Sequence, residues 1–266
     1  MALVAAALVV GACGTGLGGS GLGAGDSAAG LTPSFDDTNI EATDEPDTGA
    51  ATPGTGSEAP GEPSTPAIPG FDGWRQIDGR DVDLGATQAG FAMTLLKRAL
   101  WSGSSQGVLF YTLIDGDFRV SATVSTSKTS DSSQDPGGDG STQLAGLMAR
   151  LGSSSKASFV SITVGADAGG LAVETSSTTD GQATIEAPAW PTGDAELKLC
   201  RIGTTFSLWK RTIDSGDDWT LARTVKRPDL GGTLQVGSSI GSDRTPDITA
   251  QFGDLEIDPL DPGEAC

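Results

Sequence analysis

Between Phe71 and Asp258 apolar and polar residues alternate with a period of two, and clusters of Gly, Ser and Asp end each run. In "DFRVSATV" (117–124), Phe118, Val120, Ala122 and Val124 fall on one side and Arg119, Ser121 and Thr123 on the other. "SFVSITV" (158–164) alternates in the same way. "AELKLCRIG" (195–203) sets Leu197 and Leu199 against Lys198, Cys200 and Ile202, and "TFSLWKR" (205–211) sets Phe206 and Leu208 against Ser207, Trp209 and Arg211. "LAGLMARL" (144–151) is a mostly apolar run, while "TLQVGSSI" (233–240) and "ITAQFGDLEI" (248–257) continue the pattern. Successive side chains of a strand point to opposite faces, so each run reads as a strand with one face on a core. Many such strands and little helical periodicity predict an all-β fold, two antiparallel sheets packed as a sandwich. "FAMTLLKRAL" (91–100) fits a short helix or a strand, and its position favours the strand.

The chain before Phe71 has a different composition. Of the 35 acids, ten precede Arg75, and none of the 16 bases does; the net charge is -19. So acidic a chain lacks the basic face that nucleic acid requires, and nucleic-acid partners are not expected. Residues 14–70 are mostly Gly, Ser, Thr, Pro, Ala and acid, including "EATDEPDTGAATPGTGSEAPGEPSTPAIPG". Such a stretch cannot bury enough apolar surface to offset the entropy of ordering. It reads as a disordered tether, with a root-mean-square span of roughly 40 Å before proline extends it further.

At the start, "ALVAAALVV" (2–10) is too short to cross a bilayer as a helix but has the length of a signal-peptide apolar region. Val10-Gly11-Ala12-Cys13 then resembles a bacterial lipobox. The resemblance implies a signal peptide over 1–12, cleavage before Cys13, acylation of its thiol, and a membrane partner reached through the lipid. No Lys or Arg precedes the apolar run, which departs from the pattern and points to a start codon upstream. Gly14 is compatible with delivery to an outer membrane or cell surface. The expected organisation is signal peptide 1–12, acidic linker 13–70, folded domain 71–258 and a C-terminal tail 259–266.

The order of motifs in the folded part, "GVLFYTLIDGDFRVSATV", "QLAGLMARL", "AELKLCRIGTTFSLWKRTIDSGDDWTLAR", "LQVGSSIG" and "ITAQFGDLEI", resembles the concanavalin A-like lectin/glucanase superfamily. The nearest branch is similar to the C-terminal module of β-xylosidases. Gly116-Asp117-Phe118, Ala145-Gly146-Leu147, Leu197-Lys198-Leu199, and Gly216 with Trp219 occupy its motif positions, while Ser215 stands where that branch usually has Asp. The resemblance implies a jelly-roll sandwich of two curved sheets, and sugar as the ligand class to consider.

Chemistry-bearing residues are sparse. The chain has no histidine, which removes the commonest general base and metal ligand, and three dispersed cysteines do not make a thiolate metal site. The paired carboxylates that retaining glycosidases hold about 5–5.5 Å apart have no counterpart in the spacing; Asp115/Asp117 and Asp217/Asp218 fall in turns. No cofactor or metal is expected. Asp131, Asp135 and Asp139 in one loop, and Asp243 and Asp247 in another, read as solvated carboxylates rather than a calcium site. Trp219 reads as a core residue and Trp74 as packing the first strand, while Trp101 and Trp190 sit in loop-like sequence and are lesser candidates for ligand contact.

Trp209 is the ring that alternation turns away from the core. The same rule puts Arg119, Met148, Arg150, Phe159, Ser161 and Arg211 on non-core faces, and if their strands share one sheet they form a ring-and-guanidinium platform. Rings stack on the apolar faces of sugars while polar groups take the hydroxyls. The competing reading is a second apolar contact. With Cys13 lipidated, Cys200 and Cys266 remain as a candidate internal disulfide in an oxidising compartment, against a free thiol or an intermolecular bridge. The expected protein is a non-catalytic surface lipoprotein whose domain binds a glycan or another envelope component. A divergent glycosidase and a protein-binding adhesion module are the alternatives.

Overall fold

A computed structural model describes residues 68–101, 107–152 and 157–266. The signal peptide, Cys13 and almost all of the linker lie outside the described residues. The expected all-β jelly-roll sandwich is the fold: fourteen strands make two antiparallel sheets of seven. They are β1 (Arg75–Ile77), β2 (Val82–Ala86), β3 (Gly90–Leu95), β4 (Val108–Ile114), β5 (Phe118–Ser127), β6 (Gln143–Arg150) and β7 (Phe159–Asp167). Then follow β8 (Gly170–Thr179), β9 (Gln182–Glu186), β10 (Asp194–Ile202), β11 (Thr205–Arg211), β12 (Thr220–Lys226), β13 (Leu234–Ser242) and β14 (Thr249–Pro259). One sheet, here called front, runs β1-β4-β13-β6-β7-β8-β9; the back sheet runs β12-β11-β10-β5-β14-β3-β2. The ambiguous segment 91–100 is strand β3 as far as Leu95, and its Phe91, Met93 and Leu95 are buried.

The alternation sets the core. Inner-face residues Phe110, Leu147, Ile162 and Val236 of the front sheet meet Phe118, Val124, Leu197, Phe206 and Phe252 of the back sheet in one continuous cluster. Full burial of such a side chain is worth about 1.5–3 kcal/mol, so this interface is the main source of stability. At one end Phe71, Phe91, Phe110 and Phe252 pack ring to ring at 5.1–5.7 Å, and Trp74 caps them as expected, 4.9 Å from Phe110. Ile68, assigned by composition to the linker, is buried in this core.

Two arginines of the back sheet's edge close the sandwich against the front sheet. Arg223 on β12 donates to the carbonyl of Thr184 on β9 at 2.9 Å, and its Nε lies 3.2 Å from Glu186. Arg227, just past β12, is buried; it donates to the Phe159 carbonyl at 2.8 Å and forks onto Asp229. Guanidinium geometry suits such bidentate, buried duty. Cys200 on β10 is bonded to Cys266, which ties the C-terminal tail to the outer face of the back sheet.

Candidate functional site

The residues expected to form one platform lie on two faces. Arg119 is on β5, Trp209 and Arg211 on β11, all on the outer face of the back sheet. Met148 and Arg150 are on β6, and Phe159 and Ser161 on β7, all on the outer face of the front sheet. The condition that these strands share a sheet fails, because β5 and β6 are consecutive in sequence but cross from one sheet to the other. Alternation assigns a face within a strand and carries no information about the sheet.

On the back sheet the charges are already partnered. Arg119 donates to Asp258 at 2.8 Å and Arg211 to Glu196 at 2.8 Å. Lys198 lies between two indoles, 5.2 Å from the Trp209 ring and 4.5 Å from that of Trp219, and Arg211 stacks on Trp219 at 4.5 Å. Burial, then the neighbouring Arg119 and Arg211, lower the Lys198 pKa. Trp219 is therefore not a core residue: it is half-buried in this cation–indole ladder, which spends the guanidinium and ammonium groups internally. Trp190 packs against the sandwich core, with Lys210 4.5 Å over its ring.

On the front sheet Arg150 is 4% and Phe159 1% exposed, too buried to serve as a surface platform. Phe159 and Met148 join Leu109, Tyr111 and Ala157 in a second apolar cluster, with Ile77 and Trp101 against it. The alternative reading, a second apolar contact, describes these positions. The Arg150 guanidinium sits 4.7 Å from the Trp101 ring, and the Trp101 indole N–H donates to the Val108 carbonyl at 3.2 Å.

Beside this cluster the outer face opens into a cleft of about 150 Å³. Trp101 and Leu100 form one wall, Met148 and Phe159 the apolar floor, and Ile185 of β9, 57% exposed, the far rim. Register brings the polar groups into rows across the strands: Met148, Ser161, Ser176 and Ile185 in one, and Gly146, Thr163 and Glu174 in the next. Gly146 lets β6 approach β7 closely, since a Cβ there would stand 2.2 Å from the Ile162 carbonyl oxygen. Ser161, Thr163, Ser176 and Ser239 line the cleft along with Glu174, although the Thr163 hydroxyl itself is buried.

Glu174 makes no hydrogen bond or ion pair among the described residues. Burial first, and Asp167 second, push its pKa up to about 7. Sequence reasoning missed this residue because "LAVETSSTT" reads as a polar run; the signal present is a lone acid among Ala, Val, Thr and Ser on an alternating segment. Trp101 was visible as a loop tryptophan, but its place over β6 and β7 was not. Chemically, an indole wall, an apolar floor, a row of hydroxyls and one carboxyl can hold a small ligand with both an apolar face and several hydroxyls.

The loop acids tie loops together. Asp131 accepts from Ser133 and Gln134, Asp139 from Ser141, Asp135 from the Gly193 N–H, Asp243 from the Thr142 N–H, and Asp247 from Ser130. Among the described residues no three His, Cys, Asp or Glu side chains gather at a metal-binding spacing.

No family model matches the chain, and no curated protein matches it. Among solved structures, a functionally unknown protein from Saccharomyces cerevisiae superposes with a TM-score of 0.58 at 11% identity, covering 71% of this chain and 98% of that one. That likeness is one of fold. The GH43 BlXynB protein from Bacillus licheniformis superposes with a TM-score of 0.49 at 13% identity, over 64% of this chain and 33% of its own. The metal-free lectin I-B4 from Griffonia simplicifolia does so with a TM-score of 0.46 at 8% identity, over 70% and 93%.

Proposed function

We propose that this chain is a surface-anchored lipoprotein displaying a non-catalytic sandwich that binds a carbohydrate in the front-sheet cleft. The observation that carries the reading is the convergence, in one cleft, of the Trp101 wall and Met148 floor with the hydroxyl-bearing Ser161, Ser176 and Ser239. A volume of about 150 Å³ suits one sugar ring rather than a long chain lying in a groove. The concanavalin A-like order of sequence motifs supports the same ligand class. The back sheet's outer face is the weaker candidate, since its cations are paired with Asp258 and Glu196 or stacked on indoles.

In support of the non-catalytic reading, Glu174 is the carboxyl of the cleft lining and its acidic neighbour Asp167 stands outside that lining, whereas glycoside hydrolysis generally uses two carboxyls flanking the bond. A screen of the purified full chain against immobilised saccharides tests the ligand class. Saturable binding of a saccharide without its cleavage is the expected result; cleavage of a bound sugar would make the protein a glycosidase, and no binding to any saccharide would remove the reading.

The anchor rests on Val10-Gly11-Ala12-Cys13 after the apolar stretch. Expressed in a bacterium, the chain should partition into detergent, and Cys13→Ser should move it to the aqueous phase. Equal membrane attachment of the variant would overturn the lipoprotein assignment.

A further inference from the structure

Glu174 is an anomaly in a sugar site. A carboxylate that is largely withdrawn from water is normally paired, because its desolvation is otherwise uncompensated. Arg119, Arg211, Arg223 and Arg227 all have acidic partners in this domain. Glu174 has none. It lies on β8 opposite Thr163 of β7, with Ser176 two residues along the same face and the apolar Ile185 on β9 beyond. Among the described residues the charged group that acts on it is another acid, Asp167, on the same face of β7. Arg150 stands at the other end of the β6–β7 pairing, opposite Phe159, and is held against Trp101. The cleft thus holds a partly buried carboxyl that no cationic side chain among the described residues pairs with.

We propose that the cation is the ligand's: the cleft selects a sugar bearing an ammonium group, with Glu174 as the specificity-determining residue that receives it. This rests on the reading of the cleft as a sugar site. The ring's C–H face would lie toward Met148 and Trp101, its hydroxyls toward Ser161, Ser176 and Ser239, and its ammonium toward the Glu174 carboxylate. The pairing gives Glu174 the charge-assisted hydrogen bond that no side chain among the described residues supplies, and it favours the ionised carboxylate. A neutral sugar leaves the carboxylate either unpaired or protonated, so the discrimination is built from an unmet requirement of the site. A sugar carrying its own carboxylate would be repelled by Glu174 and Asp167 together.

The test is a calorimetric titration of the full chain, in 0.15 M salt so that the overall charge of the protein is screened, with oligomers of glucosamine and of N-acetylglucosamine of equal length. Glucosamine oligomers should bind about tenfold or more tightly than the neutral ones, the effect of one charge-assisted hydrogen bond. Glu174→Gln should abolish that difference, and its thermal midpoint shows that it is folded. Equal affinities for the two oligomers in the unmodified chain would overturn the inference and leave the sugar site standing. A preference that Glu174→Gln retains would also overturn it, by tracing the preference to the acidic surface at large. If neither oligomer binds and no other saccharide does, the sugar reading itself falls, and the inference with it.

Discussion

Glu174 is costly where it stands. Its carboxyl has a folded-state pKa of about 7 against an ordinary 4.5, because burial penalises the ionised form. A group whose pKa is raised on folding contributes stability that is full below the unfolded value and is lost as pH rises through the folded one. The folded domain should therefore lose up to about 2–3 kcal/mol from this residue between pH 4.5 and 8. Glu174→Gln removes that loss. Urea unfolding should find the variant more stable than the unmodified chain at pH 8, with the gap closing toward pH 5. A variant that is less stable at pH 8 would show that Glu174 has a stabilising partner. A residue kept at such a cost is what a binding site requires and a packing position does not.

At the scale of elements, the strands were legible and their assembly was not. The runs at 117–124, 158–164, 195–203 and 205–211 are β5, β7, β10 and β11, and the residues assigned to their inner faces, such as Val120, Ile162, Leu199 and Phe206, are fully buried. Period two is a local property of a pleated chain, so it survives in the sequence. Which strands become neighbours depends on long-range pairing, and there the platform of Trp209, Arg211 and Arg119 separated from Arg150 and Phe159. Full burial of the outer-face Phe159 had a similar cause: a second layer, including Trp101, covers that part of the front sheet, and a strand's own pattern cannot announce a cover from elsewhere. The β8–β9 hairpin carries Glu174 and Ile185, and its Ser/Thr-rich sequence lacks the apolar contrast that marks a strand.

The disulfide is an element-scale constraint. It joins β10 to the tail after β14 across a separation of 66 residues. The chain-entropy account gives about 4 kcal/mol for such a loop, and less is expected here because ordering the tail offsets part of it. Reductant should lower the urea midpoint of the unmodified chain to that of Cys266→Ser, and should leave the variant's own midpoint unchanged. Identical midpoints with and without reductant would show that the bridge contributes nothing to the domain.

Across the whole molecule the two sheets divide the work. The back sheet's outer face closes on itself through the Arg119–Asp258 and Arg211–Glu196 pairs, the indole–cation ladder and the bridged tail. The front sheet's outer face keeps an open cleft lined by serines and by Glu174, which has no partner among the described residues. An acidic surface repels other acidic polymers and favours cationic or neutral ones, in keeping with the ligand inferred from Glu174. The five tryptophans provide a direct reading of which face binds, since each carries one indole N–H. In a titration of the full chain with glucosamine oligomers followed by ¹H–¹⁵N spectra, the Trp101 indole signal should move to saturation. The signals of Trp209 and Trp219 should stay in place. Movement of Trp209 and Trp219 with Trp101 unmoved would put the ligand on the back sheet and contradict the account; so would a titration in which no indole signal moves.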